Sequence, residues 1–198
     1  MATYPKFTSA DLLLMPDDGK RYEVIEGELY VSRQPSWEHQ YTCIRLARFL
    51  DEWNDRTGLG MVNNAPGLIF AEDDDVAPDV VWISFNRLST ALGEDGKLHA
   101  APELVIEVLS PGAANQQRDR ETKLKLYSRR GVLEYWIADW QRQQVEVYCR
   151  DNARLVLAAT LMRDDELTSP LLPEFSCKVS ALFMPPLPQS DSADRGER

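Results

Sequence analysis

Apolar and polar positions run along this chain in short blocks, and each change of period marks an element. Around Glu26-Gly27 the residues of RYEVI and ELYVS alternate, which predicts a β-hairpin over 21–32. From Trp37 the steps change to fours and threes, with Trp37, Tyr41, Ile44, Ala47, Leu50 and Trp53 forming one stripe. That spacing predicts a long amphipathic helix, capped by Ser36 and closed by Gly58. Ahead of the hairpin, Thr8 or Ser9 can cap a short helix over 10–15 that Pro16 stops, and the Leu12-Leu13-Leu14 run reads as core. Strands are expected at 61–64, 67–71, 79–84, 103–109, 134–139, 144–149 and 154–159, with a helix over 116–130 ended by Gly131. Residues 86–101 read as a polar connection with room for one helical turn. The acidic run 72–75 reads as a solvated turn, since it lacks the spacing of a calcium loop. The implied class is α/β, a mixed central sheet flanked by helices, with a strand–helix–strand unit in the middle. One domain over 1–184 is expected, followed by a disordered tail over 185–198 without periodicity.

Two of the apolar runs break their own pattern. PDVVWIS holds Asp79 and PELVIEVLSP holds Glu107, each an acid where a buried strand normally has none. A carboxylate among such neighbours is costly unless its charge is compensated. A shared cation is one compensation, so Asp79 and Glu107 become a candidate metal-binding pair, with the Val108 carbonyl as a natural third ligand. Oxygen donors of this kind suit Mg²⁺, with Mn²⁺ as an alternative. The simpler readings are a strand-start aspartate after Pro78 and a solvent-facing glutamate on an edge strand.

Phosphodiester chemistry also calls for a positive group near the developing charge. On the helix 116–130, Leu124, Leu126 and Tyr127 define the inward face, with Tyr127, Tyr135 and Trp136 read as core aromatics. At about 100° per residue Lys123 lies roughly 35° from the centre of that face, while Lys125 points into solvent. Arg120 lies near the same face and becomes a candidate phosphate contact.

Composition adjusts this picture. The 198 residues carry 32 acids against 22 bases, a net charge of −10. Such a field repels nucleic acid at long range and argues against non-specific coating of DNA. It does not exclude a local site whose sign is reversed by a metal or by basic side chains. Cys43, Cys149 and Cys177 are too scattered for a zinc site or a disulfide framework, and a cytoplasmic setting is expected. No stretch approaches the ~20 apolar residues of a membrane span.

The ordered motifs PDVV, PELVIEVLSP, DRETKLKLY and GVLEYWIAD, preceded by RYEVIEGELYVS, resemble the Uma-type putative restriction endonuclease family. That family is a branch of the PD-(D/E)xK nuclease superfamily, and the likeness runs from about residue 7 to 183. It implies a restriction-endonuclease-like fold in which Asp79 and Glu107 bind Mg²⁺ and a lysine completes the site. Two residues past Glu107 stands Leu109, not lysine; the family supplies its lysine from the next helix, where Lys123 is the matching position. Glu23 matches an acidic position of the family hairpin, and pairing with a basic neighbour is its alternative role. His39 matches a position where such proteins often carry histidine. It shares a helix side with Cys43, Leu46 and Leu50, as a packed or capping residue would. The expected activity is Mg²⁺-dependent endonucleolytic hydrolysis of DNA by a homodimer. The alternatives are a non-catalytic module that keeps the fold to bind nucleic acid or protein, and a metal-dependent hydrolase of another substrate.

Overall fold

The structure is a computed structural model that describes residues 5–187. The expected tail from 188 to 198 lies outside the described residues, and residues 185–187 have no regular structure. The chain runs α1 (Ser9–Leu12), β1 (Arg21–Ile25), β2 (Glu28–Ser32), α2 (Trp37–Thr57), β3 (Gly60–Asn64), β4 (Leu68–Ala71), β5 (Asp74–Val76) and β6 (Val80–Ser84). It continues α3 (Phe85–Ala91), β7 (Leu104–Val108), α4 (Ala113–Gln117), a π-helical turn (Arg118–Lys123), α5 (Leu124–Arg130), β8 (Glu134–Asp139), β9 (Gln144–Asp151), β10 (Arg154–Leu161), β11 (Glu166–Ser169) and β12 (Leu172–Lys178). A six-stranded sheet in the order β10-β9-β8-β7-β6-β3 forms the centre. Only β7 and β8 in it pair in parallel, joined by the helical crossover from α4 to α5. A smaller sheet, β2-β1-β5-β4, carries the hairpin, and β11 pairs with β12. The mixed α/β architecture read from the periodicity is the one observed.

Alternation in the central strands separates two cores. Val80, Trp82, Leu104, Ile106, Val108 and Trp136 pack with Leu46, Leu50 and Trp53 of α2. Val81, Ile83, Val105, Leu109, Tyr135 and Ile137 pack on the other face with Leu126 and Tyr127 of α5. Glu107 falls in this second series, between Val105 and Leu109, so strand geometry turns its side chain towards α5. The hairpin turn needs left-handed backbone at two successive residues, and Glu26 (φ 53°) and Gly27 (φ 81°) supply it.

Several expectations are corrected. Only Glu72 and Asp73 of the run 72–75 form the expected turn; Asp74 and Asp75 are buried in β5. Arg130 pairs with Asp74, whose other oxygen accepts the Glu26 N–H at 2.8 Å, so the burial is compensated. Leu13 and Leu14 are 80% and 82% exposed, outside the core. The buried face of α2 runs through His39, Thr42, Cys43, Leu46, Leu50 and Trp53, leaving Trp37 (75%) and Ile44 (64%) in solvent. The stripe was misplaced because two polar residues on the true inner face have their hydrogen bonds satisfied. Thr42 donates to the Glu38 carbonyl at 2.9 Å, and His39 lies between Cys43 and Asp79. Glu107 stands on an interior strand, not an edge; the helical turn allowed for in 86–101 is present as α3, which starts at Phe85. The β11–β12 hairpin had no counterpart in the sequence reading.

Candidate active site

The register of β6 against β7 sets the site. Val81 faces Val105 and Val80 faces Ile106. Asp79 stands immediately before β6, at the end of this ladder and beside Glu107-Val108 of β7. The ladder stops there because Asp79 itself replaces the missing strand: its Oδ2 accepts the Val108 N–H at 2.9 Å. N–H and C=O of one strand residue leave on the same side, so the Val108 carbonyl also faces the Asp79 edge.

The side chains gather at a cavity of about 210 Å³, lined among others by Asp79, Glu107, Lys123, His39, Arg21 and Arg118. Lys123 comes from the end of the π-helical turn, is 1% exposed, and lies 2.9 Å from Glu107 Oε1 and 2.9 Å from Glu23 Oε1. Tyr127, four residues on and therefore on the same helix face, donates its hydroxyl to Glu107 Oε1 at 2.8 Å. Both contacts fall on Oε1 of Glu107. Glu23 also accepts the Ala77 N–H at 3.1 Å. Asp79 Oδ1 accepts from Arg21 at 2.9 Å, and its Oδ2 lies 3.2 Å from His39 Nε2.

Burial and charge pull these groups in different directions. Burial pushes the Glu107 carboxyl up to about 8; the Lys123 charge opposes the rise, and Asp79, Asp119 and Glu23 add to it. Burial also works on Asp79, but the hydrogen bond and charge of His39 and the Arg21 guanidinium outweigh it and hold that carboxyl well below the usual range. Lys123 would be lowered by burial, yet Glu107, Glu23 and Asp119 together raise it, so the amine stays protonated. Glu23 is lowered because Lys123 and Arg118 overcome its burial.

These residues suit a divalent cation. Glu23, Asp79, Glu107 and Asp119 stand against Arg21, Arg118 and Lys123, one acid more than the fixed positive charges. Burial raises the Glu107 carboxyl most and the surplus acids add to the rise, and a cation at its free edge would offset both. The donors are hard oxygens of the kind Mg²⁺ and Mn²⁺ take.

The structure thus brings Asp79, Glu107, Val108, Lys123, Glu23 and His39 together, and leaves Arg120 out. The Arg120 guanidinium is held at 2.7 Å by Glu146, with Asp139 at 3.5 Å and Gln116 at 2.9 Å. The reason lies in the π-helical turn, whose i→i+5 bonding inserts a residue and shifts the phase of everything N-terminal to Lys123. Arg118 takes the place at the cavity instead, with Nη1 2.8 Å from Ser32 Oγ and Nε 3.3 Å from Asp119. Besides Arg118, three residues at the site were not foreseen there: Arg21, Asp119 and the Tyr127 hydroxyl. Arg21 was recoverable, because in a strand it shares a face with Glu23. Asp119 was recoverable only as a residue four before Lys123.

No functionally curated protein matches the chain. A crystal structure of a putative nuclease belonging to DUF820, from Anabaena variabilis ATCC 29413, superposes with a TM-score of 0.70 at 19% identity. The match covers 89% of this chain and 97% of that one, and it shows a shared fold. The type IIG restriction endonuclease BpuSI aligns over 74% of this chain and 16% of its own, at 14% identity and a TM-score of 0.37. Residues 9–180 match the sequence profile of the family described as Uma2, putative restriction endonuclease. With its restriction-endonuclease-like α/β architecture, the chain belongs to the Uma2 family.

Proposed function

We propose that the protein is a Mg²⁺-dependent endonuclease, with Mn²⁺ as a working substitute, that hydrolyses phosphodiester bonds in DNA. The observation that carries this reading is the meeting of two carboxylates, Asp79 just before β6 and Glu107 on β7, with a buried ammonium, Lys123, at one cavity. A divalent ion held by Asp79, Glu107 and the Val108 carbonyl would polarise a phosphate oxygen and acidify a bound water. Lys123 acts as a cation and not as a base, because its two carboxylate neighbours keep it protonated. It orients the attacking water and offsets charge developing on the phosphate. Glu23 and Tyr127 hold Lys123 and Glu107 in place. Arg33 lines the same cavity and adds a positive charge to it that the net charge of −10 withholds elsewhere.

The test is cutting of supercoiled plasmid DNA with Mg²⁺ or Mn²⁺. Wild-type protein nicks or linearises it, and Asp79→Asn and Glu107→Gln do not. Equal cutting by all three rejects the assignment. A homodimer, which places one site on each strand, is expected to give twice the chain mass by light scattering at micromolar concentration.

A second reading rests on the state of Asp79, whose oxygens already engage Arg21, His39 and the Val108 N–H. A non-catalytic nucleic-acid-binding module would keep such a closed network. It predicts a salt-dependent DNA shift without any cutting or divalent-ion binding.

A further inference from the structure

We infer that His39, Cys43 and Asp79 form a second cation site, selective for a thiophilic divalent ion of the Zn²⁺ class over Mg²⁺. One imidazole nitrogen of His39, Sγ of Cys43 and a carboxylate oxygen of Asp79 all lie within 4.8 Å of one another. His39 and Cys43 stand four residues apart, so both come from one face of the rigid, 21-residue helix α2. Sγ is 3.6 Å from Nδ1 of His39 and the other ring nitrogen, Nε2, is 3.2 Å from Asp79 Oδ2, so an ion that takes one nitrogen must draw in the remaining ligand from up to 4.8 Å. Ligands around a tetrahedral zinc ion are spaced by roughly 3.5 Å, given bond lengths of about 2.0–2.3 Å. Side-chain shifts of about 1 Å therefore close the three around an ion. Asp79 is a fixed anchor for that closure, since Val108 and Arg21 hold it.

The donor set determines which ion fits. Thiolate and imidazole favour Zn²⁺ and Co²⁺, whereas Mg²⁺ takes oxygen and binds sulfur poorly. Three protein ligands leave a fourth position, and His39 and Asp79 both line the cavity from which water reaches it. Cys43 has no part in the proposed hydrolysis, so nothing in that chemistry accounts for a thiol at this point. Binding forms one sulfur–metal bond and breaks one S–H bond; the proton passes to solvent and no electron is transferred. Asp79 is common to both sites. If it also holds Mg²⁺, a consequence that rests on the nuclease reading, a thiophilic ion removes a ligand from the working metal and shuts the enzyme off.

Titration of the full chain with Co²⁺, the spectroscopic substitute for Zn²⁺, tests this. Wild-type protein is expected to develop a near-ultraviolet thiolate-to-cobalt charge-transfer band that saturates at one equivalent and is displaced by Zn²⁺. Cys43→Ser loses the band, and so does Cys43→Ala, which keeps the small apolar volume if the serine fails to fold. Glu107→Gln disables the proposed Mg²⁺ site without touching the three ligands, and it keeps the band. No band in wild type overturns the inference, as does a band that survives in both Cys43 variants, which would report Cys149 or Cys177. Loss of the band in folded Glu107→Gln also overturns it, because Glu107 would then be needed by a site that the three ligands alone are said to form. An absence of DNA cutting leaves the cobalt result standing, so the two proposals fail separately.

Discussion

Lys123→Met removes the ammonium that two buried carboxylates share and keeps most of the side chain's volume. Lys123, Glu23 and Glu107 are 1%, 1% and 3% exposed, so water cannot replace the lost charge. Removing one partner of a buried ion pair costs about 3–5 kcal/mol. The two acids will not share that cost equally. Burial and acidic neighbours already push the Glu107 carboxyl up to about 8, so at pH 7 it largely carries a proton even beside Lys123 and loses little without it. Glu23 is held ionised chiefly by Lys123 and Arg118, so it bears most of the loss. The lower end, about 3 kcal/mol, is therefore expected. For a chain of this size that lowers the melting temperature by about 6–12 °C. Urea denaturation at pH 7 measures it, with circular dichroism confirming that the variant folds. A second substitution separates the partners: adding Glu23→Gln to Lys123→Met should restore at least about 1.5 kcal/mol, and adding Glu107→Gln much less. A Lys123→Met variant within about 0.5 kcal/mol of wild type refutes the reasoning, as does stronger rescue by Glu107→Gln.

Three further outcomes follow from other parts of the molecule. Arg120→Ala should leave Mn²⁺ binding unchanged in calorimetry while Asp79→Asn abolishes it, because Arg120 is committed to Glu146; equal losses would contradict the geometry. A Cβ at Gly60 would sit 2.2 Å from the Ile83 carbonyl oxygen, so Gly60→Ala should break β3 from β6 and cost about 1–3 kcal/mol in urea denaturation. Burial pushes the Glu134 carboxyl above 4.5, against bonds from Ser169 and Trp136. Its stabilising contribution is then complete below that value and is lost as pH rises through the higher folded value. Glu134→Gln cannot ionise, so its urea midpoint should gain on wild type between about pH 4 and pH 7, and a constant difference would show the shift to be absent.

The central sheet was legible because buried strands announce themselves. Runs such as VVWIS and LVIEV have no helical alternative at that length, and the acid inside each stands out against its neighbours. What the sequence concealed was polar burial. Asp74 and Asp75 read as solvated, because their partners Arg130 and Lys97 lie 56 and 22 residues further along the chain. Periodicity sees only local spacing, and compensation of this kind is long-range. The misplaced stripe of α2 has the same origin: His39 counted as polar, and its partner Asp79 lies on a different element.

Helix phase shows the other limit. Counting at about 100° per residue from Leu124, Leu126 and Tyr127 placed Lys123 correctly, since it adjoins the regular turns of α5. The same count failed at Arg120, only three residues earlier, because the π-helical turn lies between. Within that turn Asp119 and Lys123 are buried together, with Arg118 at the cavity and Arg120 drawn off to Glu146. An ordinary α-helical turn would drop the extra residue and carry Arg118 away from Ser32. The irregularity that misled the reading of the helix is thus the feature that assembles its charged face. Deleting one residue from 118–122 should therefore damage the site more than a substitution at any one of those positions. Lys123 would keep its phase with α5, but it would lose Asp119 and Arg118 from the cluster. Mn²⁺ binding and thermal stability should fall together in the deletion variant, and unchanged binding would show that the π-helical turn has no part in building the site.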